Sequence, residues 1–521
     1  MIFKKYSFTI YYIGILLLAA SMPLWMLLMS LSQFVIIGAW LMDGDIKGKI
    51  KKAFSNPVIQ VISGLYAIHL LGLLYTTDFD YAIRDLRIKL PLFLLPVIFS
   101  SMPTLPENKF QNVLKVIILS TFISTLCSMA IFLGWTSRPV VNIRDISPFI
   151  SHIRLALIIC VGIVSMIHLL KKDDSLKLKF IYIPLMLWFI VFLVILESLT
   201  GIFILLFLFI FFSIIYIWKS EKRFFRPLFS ACLILLLFAT GLFYKFLFID
   251  SIKEITIDAQ SLKKFTAFGH PYEHFPEKQD HENGNLVWIN ICESELDSVW
   301  NSRSKLKYES KDLRGQDIKY TLIRYLTSRN YSKDAEGVSK LTLDDIKAIE
   351  HGIANVNYLH KSDMKARMQQ LAWEYRNYYY SGNPSGHSVM QRIEFWKTAL
   401  HIIKNNPVIG VGTGDVQVEF LKAYDEMNSQ LLPSFRFHSH NEYLTMAVAF
   451  GIVGGLYFIF SLFFPYFYMH KQRDFLYTAF FIVLLLSMLT EDTPESQAGA
   501  TFMAFLNALL LFHKPEVPVK S

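Results

Sequence analysis

Near its C-terminal end the chain places two histidines, an amide and a carboxylate side by side, in Phe435-Arg436-Phe437-His438-Ser439-His440-Asn441-Glu442-Tyr443-Leu444. The cluster stands where a long polar region gives way to an apolar run. Histidine titrates near neutrality, so it can take a proton from an attacking hydroxyl. A His-x-His pair can also hold a metal, but its two side chains point the same way only in a strand. No further Cys, His or carboxylate cluster has ligand spacing, so neither a metal nor any other cofactor is expected.

A second set of residues is cationic. Arg84, Arg87, Arg138, Arg144, Arg154 and Arg392 are candidates for binding an anion, with Glu197 and Glu491 as carboxylates near them. Guanidinium makes paired, charge-assisted bonds to phosphate oxygens. The stretch Gly410-Val411-Gly412-Thr413-Gly414 faintly resembles a phosphate loop, but it lacks the preceding strand and the lysine, and reads as a helix–loop–helix turn.

Whether these residues meet depends on the elements that carry them. The 521 residues are 53% hydrophobic, above the roughly 45–50% of soluble domains, with mean hydropathy +0.39. The excess is gathered in blocks of about 18–22 residues, long enough to cross a bilayer as helix. Hydropathy gives about twelve spans: a hairpin over Ser7–Met42 broken at Ser21 and Pro23, then Pro57–Tyr75, Leu90–Met102, Val113–Gly134, His152–Leu170, Phe180–Leu196, Ile202–Trp218 and Leu228–Phe248, and finally Tyr443–Tyr466, Leu476–Leu489 and Ala498–Phe512. The first apolar blocks are read as retained spans and not as a cleaved leader. Lysine-rich loops (Lys47 to Lys52, Lys171 to Lys179, Lys219 to Arg226) fall on one side, which the positive-inside rule makes cytoplasmic. The net charge of +9 then calls for no nucleic acid. Of the four cysteines, Cys127, Cys160 and Cys232 lie in spans and Cys292 lies alone, so no disulfide framework is indicated.

The expected organisation is all-α and polytopic: transmembrane helices over residues 1–249, a large loop domain over 250–439 outside the cytoplasm, and the last spans with a short cytoplasmic tail over 440–521. Within the loop, Leu286–Ile291 suggests a short strand. Thr342-Leu343-Asp344-Asp345 resembles a capping box, and Ser388–Lys404 an amphipathic helix stopped by Asn406-Pro407. The topology puts His440, Arg392, Glu197, Glu491, Arg154 (about one turn into its span) and the loop arginines 84, 87, 138 and 144 at one membrane face. An ionisable group inside a span is costly and usually functional. Plainer readings stand beside this one: solvated surface arginines, a helix cap at Glu197, or a salt bridge from Arg392 to Glu394 or Glu374. An arginine pocket at a membrane face suits a lipid-borne diphosphate, and a neighbouring histidine suits group transfer from it to an alcohol.

The residues His440-Asn441, then Gly451 and Gly454, resemble the signature of the O-antigen ligase and polymerase superfamily. So do Arg392, Trp396, Asn406-Pro407 and Gly410-Val411-Gly412 upstream, and the arrangement of spans with one large loop before the last ones. The resemblance is strongest over Pro384–Phe512. It implies a GT-C-like, metal-independent inverting glycosyltransferase of the bacterial inner membrane, with both termini cytoplasmic and the large loop periplasmic. The donor would be a glycan on undecaprenyl diphosphate, and the acceptor commonly the lipid A-core of lipopolysaccharide. Carried over by position, His440 is the base and Arg392 and Arg154 hold diphosphate; His438, Asn441, Glu491, Glu197, Arg84, Arg87 and Arg144 are the substrate-site candidates that the charge pattern and topology add. One departure is Ser198-Leu199-Thr200-Gly201, where members often have arginine in place of Leu199. The contact is then absent or supplied by Arg144. The loop's extra content over 282–380 leaves the acceptor open. An O-antigen polymerase and a protein O-oligosaccharyltransferase belong to the same class. A transporter or flippase of lipid-linked sugars is the non-enzyme alternative, but alternating access places its charges at mid-membrane.

Overall fold

The computed structural model describes residues 2–138, 143–173, 175–219, 225–249, 262–278, 280–359 and 364–513. Lys222 and Arg223 lie outside these, as do the side chains of Arg144 and Arg226. The chain divides into two compact units, one of Met1–Val140, Arg144–Lys219 and Gln391–Ser521, the other of Val141–Ile143 and Ser220–Met390. Residues Gln391 to Ser521 thus belong to the first unit. The stretch carrying Arg392, Gly410–Gly414 and His438 packs with the apolar helices because its backbone and side chains bond to them, as described below.

The first unit begins with α1 (Ile2–Ser21), α2 (Met26–Met42), α3 (Ile46–Phe54), α4 (Pro57–Leu71), α5 (Phe79–Ser101), α6 (Glu107–Phe132), α7 (His152–Lys172), α8 (Leu176–Ile195) and α9 (Leu199–Lys219). The second unit holds α10 (Phe225–Tyr244), a hairpin of β1 (His281–Glu282) and β2 (Asn285–Leu286), then α11 (Glu293–Arg303), α12 (Ile318–Ser328), α13 (Ala335–Ser339), α14 (Leu343–Glu350) and α15 (Met364–Ser381). The chain then runs through α16 (Ser388–Asn405), α17 (Val416–Glu426), α18 (Glu442–Tyr468), α19 (Phe475–Thr490) and α20 (Gln497–Phe512).

Among the described residues, α6, α7, α8, α9, α18 and α4 as continued to Tyr75 are long and apolar enough to cross a membrane. Helices α2 and α3, bent by 109°, pass the same test together. Shorter apolar helices run over Lys5–Ser21, Phe475–Thr490 and Gln497–Phe512. This is a multi-pass pattern with 6 long spans, or 7 with the bent pair. Helix α7 is the most enclosed, 72% buried against 22% for α8 and for α9, so its first turn delivers Arg154 into the protein interior.

Two expectations are corrected. Arg84, Arg87 and Lys89 are helical and not in a loop: α5 starts at Phe79, capped by Asp78, whose carboxylate accepts from the Tyr81 amide at 2.9 Å. Hydropathy misplaced this start because an i,i+4 ion pair, Asp85 to Lys89 at 2.8 Å, lets charged residues remain in a buried helix. The strand expected over Leu286–Ile291 shrinks to two residues of β2, with Ile291 held by isolated bridges to Glu273 and Lys333. The capping box at Thr342 is present, with Asp345 as its reciprocal partner. The second unit has its own core around Leu296, Trp300, Ile318, Leu322, Leu326 and Ile349. Among the described residues of the loop region the longer elements are all helices, α11 to α17.

Helix α18 is broken. Phe450 and Gly451 leave helical geometry, with Gly451 at φ 67°, a value glycine adopts without the Cβ penalty. The carbonyls freed by the break are taken up by the glycine loop after α16. Val411 and Gly412 amides donate to Val448 and Ala449 at 3.0 and 2.9 Å, and the Ile452 amide donates to Pro407. A Cβ on Gly410 would overlap the Val448 carbonyl, and one on Gly451 the Val408 carbonyl. The glycines at 410 and 412 thus serve helix docking and not phosphate cradling. The loop is fastened further by Asp415, which accepts from the Thr77 amide, the Thr77 hydroxyl and the Asp78 amide at 2.8–3.0 Å.

Candidate active site

The path from α17 into α18 is set by local bonds. Tyr424 donates to the Phe437 carbonyl at 2.7 Å. The buried Ser439 hydroxyl donates to the Asn441 carbonyl at 2.7 Å and accepts the Asn441 amide at 3.0 Å. Asn441 caps α18, accepting from the Leu444 amide, and its side-chain amide donates to the Leu489 carbonyl at 3.1 Å. These bonds hold the residue between them, His440, in the left-handed region at φ 48°. Such a conformation costs on the order of 1–3 kcal/mol and clusters at functional sites.

The histidines meet a carboxylate that the sequence reading left out. Asp492, in the turn after α19, stands 2.6 Å from His438 Nδ1 and 3.7 Å from His440 Nδ1. It is fully enclosed, and Thr445 of α18 donates to its other oxygen at 3.1 Å. Burial opposes charge on all three groups, and the outcome differs for each. Burial raises the Asp492 pKa, but the bond and charge of His438 outweigh it and hold the carboxyl below its ordinary value. For His438 burial lowers the pKa, and the Asp492 contact outweighs it, so the pKa lies above the ordinary histidine value. His440 has no such bond; burial lowers its pKa to about 4, assisted by the positive charges of His438 and Arg392. The site therefore favours the protonated form of His438 and the neutral form of His440, whose side chain keeps 32% of its surface exposed.

The arginines converge on the neighbouring carboxylate. Arg392, in the second turn of α16, donates from Nη2 to Glu491 at 2.6 Å and from Nε to the Thr490 carbonyl at 3.0 Å. Glu394, close in sequence, accepts from Ser429 at 2.7 Å. Burial raises the Glu491 pKa, and both Arg392 and Arg154 oppose that rise, so Glu491 lies within electrostatic reach of both. Arg154 follows the α7 cap Ser151 and donates to its hydroxyl from Nη1 at 3.2 Å.

Beneath His438 lies a buried charge cluster. Lys89 of α5 pairs with Asp85 and with Glu495 in the turn before α20, and Glu442 is buried at the start of α18. Lys89 and Glu495 both act electrostatically on His438. Of the cations on α5, Lys89 is thus the one the fold turns toward the histidines. Arg84 and Arg87 are exposed, Arg84 with its guanidinium over the Tyr81 ring at 4.9 Å. Arg138 is exposed as well, and Glu197 occupies the left-handed turn between α8 and α9. The signal for Asp492 and Glu495 was the carboxylate-rich turn between two apolar helices, which hydropathy reads only as a connection.

In the second unit, His270, Cys292 and Glu295 bring ligand atoms within 4.8 Å of one another, a cluster invisible in the spacing of those residues. Glu295 already accepts from Thr266, from His270 at 2.7 Å and from the Ala335 amide at 3.0 Å. That network satisfies the carboxylate without an ion.

Residues 352–459 match the family described as O-antigen ligase. The chain carries a segment similar to the O-antigen ligase family. It bears out the superfamily resemblance, covers about a fifth of the length, and contains Arg392, the glycine loop, both histidines and the break in α18. Arg154, Lys89, Glu491 and Asp492 lie outside it. No curated protein matches the chain. With the apolar helices, the O-antigen ligase match supports a multi-pass membrane protein of the ligation or polymerisation class, glycosyltransferase-like and acting on lipid-linked glycan and an acceptor in general terms.

Proposed function

We propose that the protein transfers a glycan from undecaprenyl diphosphate to an acceptor hydroxyl at the periplasmic face of the bacterial inner membrane, as an O-antigen ligase acting on lipid A-core. The supporting observation is the convergence of Arg392 and Arg154 on Glu491, one residue from the Asp492 that pairs with the histidines. In this reading the arginines leave Glu491 for the diphosphate, which offers more negative charge and a matching fork of oxygens. The acceptor oxygen attacks the anomeric carbon, the carbon–oxygen bond to diphosphate breaks with its electron pair going to phosphate, and the acceptor proton passes to His440. Attack from the face opposite the leaving group inverts the anomeric centre. Bound diphosphate screens His440 from the charges of Arg392 and His438, which raises its basicity when it is needed. Asp492 and protonated His438 position the ring and fix the local field. Arginine and histidine supply the charge stabilisation and proton transfer, so the reaction is proposed to run without a metal.

The remaining residues of the site have supporting parts. Asn441 sets the angle of α18, Glu491 holds the arginines until donor arrives, and Arg144 or Glu197 extends the donor site. The GT-C-like twelve-span arrangement, with both termini cytoplasmic, belongs to the same proposal. The test is transfer by purified protein given lipid-diphosphate glycan and acceptor in the presence of EDTA. Wild type transfers and His440→Ala loses about 100-fold or more; transfer by the variant at the wild-type rate refutes the mechanism. Product analysis with lipid A-core, lipid-linked glycan or protein as acceptor assigns ligase, polymerase or protein transferase.

A further inference from the structure

The second unit contains a cleft of about 570 Å³, between the β1–β2 hairpin, the segment around Asn355–Tyr358 and α15. That volume is in the range of small-ligand sites, about 300–1,000 Å³. Its lining is unusual for its amides: Asn283, Asn355, Asn357 and Gln369, with Tyr358 and Trp373 as aromatic walls.

The amides are held in place. Asn283 and Gly284 form the two-residue turn of the hairpin, both with positive φ, the arrangement an Asn-Gly hairpin turn requires. The Asn283 amide donates to the Ser328 carbonyl at 2.9 Å and its oxygen accepts from Asn357 at 3.0 Å. Asn357 donates also to the Gln369 oxygen at 3.2 Å. Among the described residues this leaves the Asn357 oxygen as an uncommitted acceptor, and the Gln369 amide nitrogen and the buried Trp373 indole N–H as uncommitted donors.

Fixed charge in the cleft is cancelled. Arg324 makes two contacts of 2.8 Å with the buried Glu282, whose other oxygen accepts from Asn355, and its guanidinium lies 3.6 Å from the centre of the Trp373 ring. Among the described residues the lining carries no lysine or arginine to select phosphate. A rigid set of mixed donors and acceptors beside aromatic rings suits a ligand that is uncharged, carries hydroxyls that both donate and accept, and has C–H faces.

We infer that this cleft is a binding site for a neutral, hydroxyl-rich oligosaccharide. The inference concerns binding by the second unit and stands apart from the transfer chemistry. It gives the extra content over 282–380 a task, namely holding a stretch of glycan.

Full-length protein in a detergent without a sugar headgroup would be titrated with chitotriose, maltotriose and trigalacturonate by isothermal calorimetry. At least one neutral trisaccharide is expected to bind more tightly than trigalacturonate. Trp373→Ala, and separately Asn357→Ala, which removes less packing, are each expected to weaken that binding about tenfold or more. His440→Ala is expected to bind as wild type, which separates this site from the transfer centre. Absence of binding by both neutral probes, tighter binding of trigalacturonate, undiminished binding by Trp373→Ala and Asn357→Ala, or loss of binding in His440→Ala would overturn the inference.

Discussion

Asp492 Oδ2 lies 2.6 Å from His438 Nδ1, across 54 residues of sequence that include the whole of α18 and α19. The contact raises the pKa of His438, while burial lowers that of His440, so the two rings differ in basicity. It also divides their tasks, because a protonated ring cannot accept a proton and a neutral one can.

Asp492→Asn keeps the shape and removes the charge. Transfer is expected to fall about 100-fold with little change in KM for donor, because the ring is mispositioned and not the donor. The same variant changes the pH dependence of stability. The raised pKa of His438 contributes stability that is present in full below the ordinary value of 6.5 and is lost as pH rises through the folded value. Thermal unfolding should show that slope above pH 6.5 in wild type and lose it in Asp492→Asn. An unchanged slope would assign it to another group.

With His440 at about 4, the acid limb of kcat/KM, which reports the free enzyme, is expected near that value and not near 6.5. The neutral ring is the active form, so activity falls as pH drops through this limb. His438 lowers the His440 pKa by its charge, so His438→Gln should move the limb upward. A limb that stays in place or moves down contradicts the assignment of charges.

Arg392 uses two edges of its guanidinium, Nη2 to Glu491 and Nε to the Thr490 carbonyl. A lysine keeps the charge and loses the fork. Arg392→Lys should raise the donor KM about tenfold or more, and acceptor KM should hold. If acceptor KM rises instead, Arg392 serves the other substrate.

Gly451→Ala tests the break in α18. A side chain at φ 67° is strained, and its Cβ meets the Val408 carbonyl. The expected cost is about 2 kcal/mol or more, read as a lower unfolding midpoint and faster proteolysis between α16 and α17. Gly410→Ala strikes the same junction, so the double variant should cost less than the two single costs together.

Much of the site was legible because the residues announce themselves locally. Arg154 stands out as a charge in an apolar helix, Arg392 as a charge on the apolar face of α16, and His440 as a base at the edge of a span. The Thr342 capping box and the stop at Asn406-Pro407 depend on neighbours within one turn, so spacing reveals them. Composition and the repeated apolar blocks likewise determined that the chain is helical and crosses a membrane several times.

What the tertiary structure decided lies between distant residues. Lys89 shares α5 with Arg84 and Arg87, yet of the three only Lys89 turns inward, because Asp85 and Glu495 neutralise it there. Gly451 is the point where α18 opens to receive the glycine loop, which its place in an apolar run does not reveal. Asp492 had no periodicity or motif to mark it; only the meeting of the turn after α19 with the start of α18 sets it against the histidines. Local propensity acts over a turn or two of chain, whereas the charge state of a buried histidine is fixed by whichever carboxylate the fold brings within about 3 Å.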